Sequence, residues 1–261
     1  GVDSVILTHE HADAMFGLDD IREVQPRGSV VGLFADEMTH ARVKECFHYI
    51  LPDDPTPLDP PSPSNSSRSS PQTINPNAKP KKLWTSMVVP YLFKPFEPFY
   101  IEDLEIIPIP LHHGPSLCNG FLFNQINGSS QMAYFSDFRC TLPCGEMADP
   151  KSLPPEALSA LTLFQNPPRT FELLLRKPIS NTFLDCLHRS SFHLSHSNLI
   201  ETLQVVRVMS EKFAVERFML LGMSCSIDYD ELEKELDKKY KGEKYEVKPC
   251  YDGLIVPCFL T

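Results

Sequence analysis

The run Thr8-His9-Glu10-His11-Ala12-Asp13 constrains this chain more than any other feature, because it begins where an apolar segment ends. Residues 2–8, Val-Asp-Ser-Val-Ile-Leu-Thr, are β-branched and apolar and read as a buried strand. Residues 15–25 read as a short helix, so the histidines occupy a turn between a strand end and a helix start. In such a turn three side chains can converge on one small volume. Neutral imidazole and carboxylate are the donors that suit Zn²⁺ and similar ions. A lone histidine would carry little weight, but His-x-His-x-Asp in this setting assigns His9, His11 and Asp13 to a metal site.

The rest of the chain alternates strand and helix signals, which argues for a layered α/β protein. Residues 29–34 read as a second buried strand and residues 35–50 have helical spacing. Residues 51–82 are dense in Pro and Ser and bury too little apolar surface to offset ordering entropy. They read as a disordered insertion. Strand signals resume at 105–110, 120–123 and 132–136. An irregular insertion follows at 141–177, with a helix expected over 155–164. Residues 182–187 and 218–222 read as strands, 197–213 as an amphipathic helix, and 228–241 as a charged surface helix.

Composition sets outer bounds. The 261 residues suit one α/β domain carrying insertions. Twenty-four basic against 34 acidic residues give a net charge of −10, which argues against a broad nucleic-acid footprint. No apolar run approaches the ~18–20 residues of a membrane span. The eight cysteines include no CxxC pair and suit a reducing compartment, cytoplasmic or nuclear; Cys140 and Cys144 are the pair that would argue otherwise. The chain starts at Gly1 rather than Met, which reads as a processed or truncated sequence.

His9–Asp13 resembles the His-x-His-x-Asp-His signature of the metallo-β-lactamase superfamily. Residues 15–22, Met-Phe-Gly-Leu-Asp-Asp-Ile-Arg, resemble the branch of bacterial phosphonate-pathway cyclic phosphodiesterases and their eukaryotic relatives. Pro110-Leu111-His112-His113-Gly114 is similar to the strand-end block that gives a third ligand, and Tyr134-Phe135-Ser136-Asp137 to the block whose Asp bridges two metals. Leu184-Asp185-Cys186-Leu187 and His193-Leu194-Ser195-His196 resemble that branch's Asp-x-Leu and His-x-x-His blocks. Leu221-Gly222-Met223-Ser224-Cys225 falls where the family has its last ligand, a histidine.

The resemblance implies an αββα sandwich and a metal set of His9, His11, Asp13, His113, Asp137 and Cys225, holding one or two zinc ions, or manganese or another divalent ion. Ala14 and Cys225 stand where the family has histidines, which weakens the second site, although a thiolate is a good zinc ligand. Only eight residues precede His9, fewer than the family has there, so an N-terminal segment is expected to be missing. A metal-activated hydroxide would attack a phosphodiester, a small molecule or an RNA end, with Asp13 orienting the nucleophile. His196 or His193 would protonate the leaving group or hold a phosphoryl oxygen. His112 is the decoy beside His113. His40, His48 and His188 have no partner pattern, and Asp19, Asp20 and Arg22 suit a structural salt bridge. Two other readings compete: a non-catalytic metal-binding interaction module, favoured by Ala14 and Cys225, and an ester or thioester hydrolase of the same superfamily.

Overall fold

The structure is a computed structural model that describes residues 1–26, 28–52, 57–61, 86–140 and 163–257. Its contacts divide the chain into two units, Gly1–Pro108 and Ile109–Thr261. In the first unit β1 (Ser4–Ile6), β2 (Val31–Ala35) and β3 (Val88–Leu92) form a parallel sheet in that order, with Ser4 opposite Gly32 and Leu33 opposite Pro90. Parallel strands with short apolar sequences are covered on both faces, and here Leu7, Val31, Leu33, Val43, Ile50 and Val88 form one buried cluster. Phe34 stacks on Tyr91 and Phe99.

The helix expected over residues 15–25 is broken into α1 (Ala12–Met15), a 3₁₀ turn (Phe16–Asp20) and α2 (Ile21–Val24). Two causes are visible. Gly17 and the Asp19-Asp20 pair are poor helix-interior residues, and the buried Met15, Leu18 and Ile21 recur every third residue, the 3₁₀ period. Helix α3 (Glu37–Cys46) opens on an Asp36 cap that accepts the Thr39 N–H, and ends ahead of the 3₁₀ turn His48–Ile50. Residues 57–61 are paired backbone rather than free chain. Leu58 donates to the Pro90 carbonyl and accepts from Leu92, and the Pro61 carbonyl accepts from Tyr100. The disordered reading of 51–82 therefore does not hold at Leu58 and Pro61, while 53–56 and 62–82 lie outside the described residues. Strand β3 and strand β4 (Phe99–Ile101) escaped the sequence reading; β5 (Leu104–His113), expected at 105–110, pairs with β4 as a hairpin and runs across the boundary between the units.

In the second unit the strand order is β10-β9-β8-β7-β6-β5, with β6 (Ser116–Gln125), β7 (Gln131–Phe135), β8 (Ile179–Asp185), β9 (Val215–Leu221) and β10 (Glu246–Pro249). β6 and β7 are antiparallel and β7 through β10 are parallel. Helix α5 (Leu199–Lys212) makes the right length of crossover from β8 to β9, and α6 (Tyr229–Lys239) the one from β9 to β10. A reciprocal capping box between Asn198 and Glu201 starts α5. Gly120 is required by close packing: a Cβ there would lie 2.5 Å from the Phe135 ring. The helix expected at 155–164 falls mostly outside the described residues. Phe164 makes a bridge to Leu111, and the helix that follows is α4 (Pro167–Leu174), capped by Asn166.

Candidate metal centre

In the first unit, β1 delivers the chain into the histidine turn. Leu7 still donates to Phe34, and the next residue, Thr8, holds His9 through a 2.9 Å contact between its hydroxyl and Nδ1. His9 is 1% exposed, a costly place for an imidazole with no polar task. His11 is half-buried, stands at the cap position of α1 with extended backbone, and its ring lies edge-on to that of His9 with centroids 4.6 Å apart. Asp13 sits in the first turn of the four-residue α1 and is exposed.

In the second unit the polar groups come from three strand ends and the loop ahead of α5. His113 closes β5, 2% exposed, while the neighbouring His112 turns to the partly solvated face. The His113 Nδ1 lies 3.0 Å from the Ser195 carbonyl. A carbonyl only accepts, so Nδ1 carries the proton and Nε2 presents the lone pair a metal needs. Gly114, at φ 61°, permits this approach, because a Cβ there would lie 2.8 Å from Ser195 Oγ. Asp137, two residues past β7, adopts φ 52°, a left-handed conformation that Asp tolerates better than most residues. Its carboxylate lies 3.9 Å from His196 Nδ1.

His196 Nδ1 donates 2.9 Å to Asp185 Oδ2 at the end of β8. Burial pushes the Asp185 carboxyl up to about 6, against the pull of the adjacent His196. The His196 ring is 5.0 Å from that of His113 and 4.9 Å from that of His193. His193 Nδ1 accepts the Ser195 N–H, which places the ring proton of its neutral form on Nε2. Burial, then the His196, His188 and Arg139 charges, lower its pKa. His188 is not the isolated residue expected: its ring is 6.2 Å from His193 and its Nδ1 contacts Ser224 Oγ.

Among the described residues, His9, His11 and His113 make up the candidate metal group, and Asp13, Asp137 and Cys225 stand outside it. Three imidazoles fit zinc and its neighbours in donor chemistry. Cys225 lies in the turn after β9 and is exposed, so a buried, packing role does not describe it. Arg22 pairs with Asp19 at 3.6 Å on the surface, a structural contact as expected. The described cysteines are free; Cys140 is buried with its thiol pushed up to about 12, and Cys144 lies outside the described residues. No described helix is long and apolar enough to cross a membrane. Arg139 escaped the sequence reading: its guanidinium meets the His193 and His196 carbonyls and Glu201, a partnership no local pattern announces.

A diphosphatase of the PhnP family is 23% identical, with 99% of this chain and 72% of that one aligned and a TM-score of 0.59. Yeast PDE1 is 11% identical over 97% of this chain and 68% of that one, also at 0.59. An isothiocyanate hydrolase from Delia radicum gut bacteria is 12% identical over 100% and 78%, at 0.56. At such identities the likeness shows the fold alone. No curated protein matches the sequence significantly. The model of the beta-lactamase superfamily domain matches residues 1–216, and the chain belongs to that superfamily of metal-dependent hydrolases.

Proposed function

We propose that this protein is a metal-dependent phosphodiesterase in which His9, His11 and His113 hold one divalent ion, zinc or manganese. A second, weaker ion would fall to Asp13 and Asp137, with the exposed Cys225 only a weak further donor. The observation that carries the reading is the Asp185–His196 pair set beside His113 and Asp137. A module that merely held an ion would have no need of a buried carboxylate orienting a further imidazole.

A bound divalent ion supplies Lewis-acid polarisation and a hydroxide nucleophile near neutral pH. The chain's own residues supply the rest. Asp185 fixes the His196 proton on Nδ1, so Nε2 is the nitrogen that acts, and in the protonated ring it gives its proton to the leaving oxygen. His193, kept neutral by its lowered pKa, offers an Nε2–H to a phosphoryl oxygen. Two imidazoles side by side suit a centre that carries two non-bridging oxygens and a departing one. The phosphodiester class is supported by the branch signature over residues 15–22 and by the His193–His196 pair.

The test is turnover of a panel of cyclic and linear phosphodiesters by protein purified without chelators, with bound metal counted by mass spectrometry. At least one ion per chain and phosphodiester turnover are expected. Thioester or carboxylic ester turnover alone would instead favour the rival hydrolase reading. A chain with no ion and no turnover would be an interaction module.

A further inference from the structure

We propose that Arg139 is a positioning residue, whose guanidinium clamps the loop ahead of α5 and so aims His193 and His196 at the substrate. The inference deepens the phosphodiesterase reading and rests on it for the chemistry, but the clamp itself is a matter of geometry. Residues 186–198 carry both imidazoles and contain neither helix nor strand. Loops of this kind have few internal restraints. Arg139 supplies them from outside. Nη1 donates to the His193 carbonyl at 2.6 Å and to the His196 carbonyl at 3.2 Å, and Nη2 meets Glu201 Oε1 at 2.9 Å. The guanidinium carbon lies 4.4 Å from the centre of the Phe192 ring, which is 72% exposed.

The two carbonyls held are those of the two histidines that do the chemistry. The arginine also reaches back to the remaining polar groups of the unit. It lies two residues after Asp137, and its backbone N–H donates 2.7 Å to the carbonyl of His112, next to His113. The same strap continues through Ser197, whose hydroxyl donates to the Phe138 carbonyl and accepts from the Cys140 N–H. Glu201 completes the arrangement. One of its oxygens balances Arg139 and the other accepts the Asn198 N–H, so the carboxylate that caps α5 also anchors the clamp.

The Arg139 side chain is only 10% exposed and that of Glu201 18%. Two charges at that depth are an expensive way to fill space. Only a planar fork of donors can serve two carbonyls and a carboxylate together, which a lysine ammonium cannot reproduce in that geometry. Releasing the His196 carbonyl would let its ring drift, and a misplacement of about 1 Å costs about 100-fold in rate.

The experiment compares wild type with Arg139→Lys and Arg139→Ala, and has two arms. Amide exchange followed by mass spectrometry should rise about tenfold or more in the peptide covering 192–197, with strands β8 and β9 unchanged. In phosphodiester turnover, kcat should fall about 100-fold with KM and metal content little altered, and millimolar guanidinium should recover part of the Arg139→Ala loss. Arg139→Lys keeps the charge opposite Glu201, so it reports on the fork even if Arg139→Ala fails to fold. Unchanged exchange in 192–197 overturns the proposal. So does a loss of kcat that parallels global unfolding and is not rescued. A wild-type chain without phosphodiester turnover would sink the functional reading instead, and the exchange arm would still decide the clamp.

Discussion

The two units reach their polar groups by opposite routes. The first sets His9 and His11 two residues apart on one turn, at the end of a three-residue strand, with rings 4.6 Å apart. The second gathers His113, Asp137, Asp185 and His196 from β5, β7, β8 and the loop before α5, and ties them by bonds such as His113 to Ser195, 82 positions away. A local turn separates chemistry from folding, so a substitution there should remove a donor and leave its unit standing. A cluster built from strand ends does not. There the same side chains serve the core and the site, and a change should register in both stability and activity.

The largest effect tests the first half of that contrast. Chelation, or His11→Ala, should take activity to the uncatalysed level. With metal absent from both samples, the Tm of His11→Ala should stay within about 2 °C of wild type, because the side chain is half-buried on a turn. A fall of 10 °C or more in calorimetry would mean that the turn is structural, and the contrast would collapse.

Asp185→Asn tests the second half. Loss of the carboxylate that orients His196 should lower kcat by about 10²–10⁴. Stability should move the other way. A carboxyl pushed up to about 6 when folded, from an ordinary value near 3.8, binds its proton more tightly in the native state. Its contribution therefore favours folding below pH ~4 and is lost as pH rises through about 6. At pH 7 in chelator, Asn should raise Tm by roughly 2–6 °C, and that advantage should vanish near pH 4. Equal Tm values at both pH values would show that the buried carboxylate costs the fold nothing.

How legible each half was follows from the same difference. His9, His11 and the strand before them are contiguous, so periodicity and donor chemistry suffice to find them. His113 and Asp137 were reached only because blocks of residues resembled a family; donor chemistry alone leaves His112 and His113 on equal terms, and alternation along β5 says only that the two face opposite ways. Arg139 and Glu201 were invisible, since an arginine after a strand end has no periodic signature. The broken helix after His11 was misread because a three-residue spacing of Met15, Leu18 and Ile21 resembles the start of an α-helical stripe.

A smaller effect concerns the first unit alone. Leu58 is 43% exposed, so its side chain contributes little, yet its backbone spans Pro90 and Leu92. Leu58→Pro removes one donor and should lower Tm by roughly 2–4 °C, the worth of about one backbone hydrogen bond in a chain this size. Excising 62–82, chosen on Pro/Ser composition, should leave Tm within about 1 °C. If the excision costs more than the proline, the Pro/Ser segment contributes to the fold and its composition has misled.

The smallest effect separates the two metal positions. Cys225 is exposed, in a turn between Ser224 and Ser226, whose hydroxyls bond to each other at 2.7 Å. A thiolate is a strong zinc donor, but an exposed turn is not held in place by packing, and entropy is lost on fixing it. Cys225→Ser should therefore leave the first ion in place, change second-ion affinity by less than about threefold, and leave Tm unaltered within about 1 °C. Ala14→His is the opposite change, adding an imidazole beside Asp13 on the turn that already carries His9 and His11. It should tighten the second ion by about tenfold or more, since a neutral nitrogen joins two carboxylates. Calorimetric titration of zinc into the two variants and wild type reads both numbers. If the serine variant loses the second ion while the histidine variant gains nothing, that ion depends on the strand-end cluster alone, and the local turn supplies only the first.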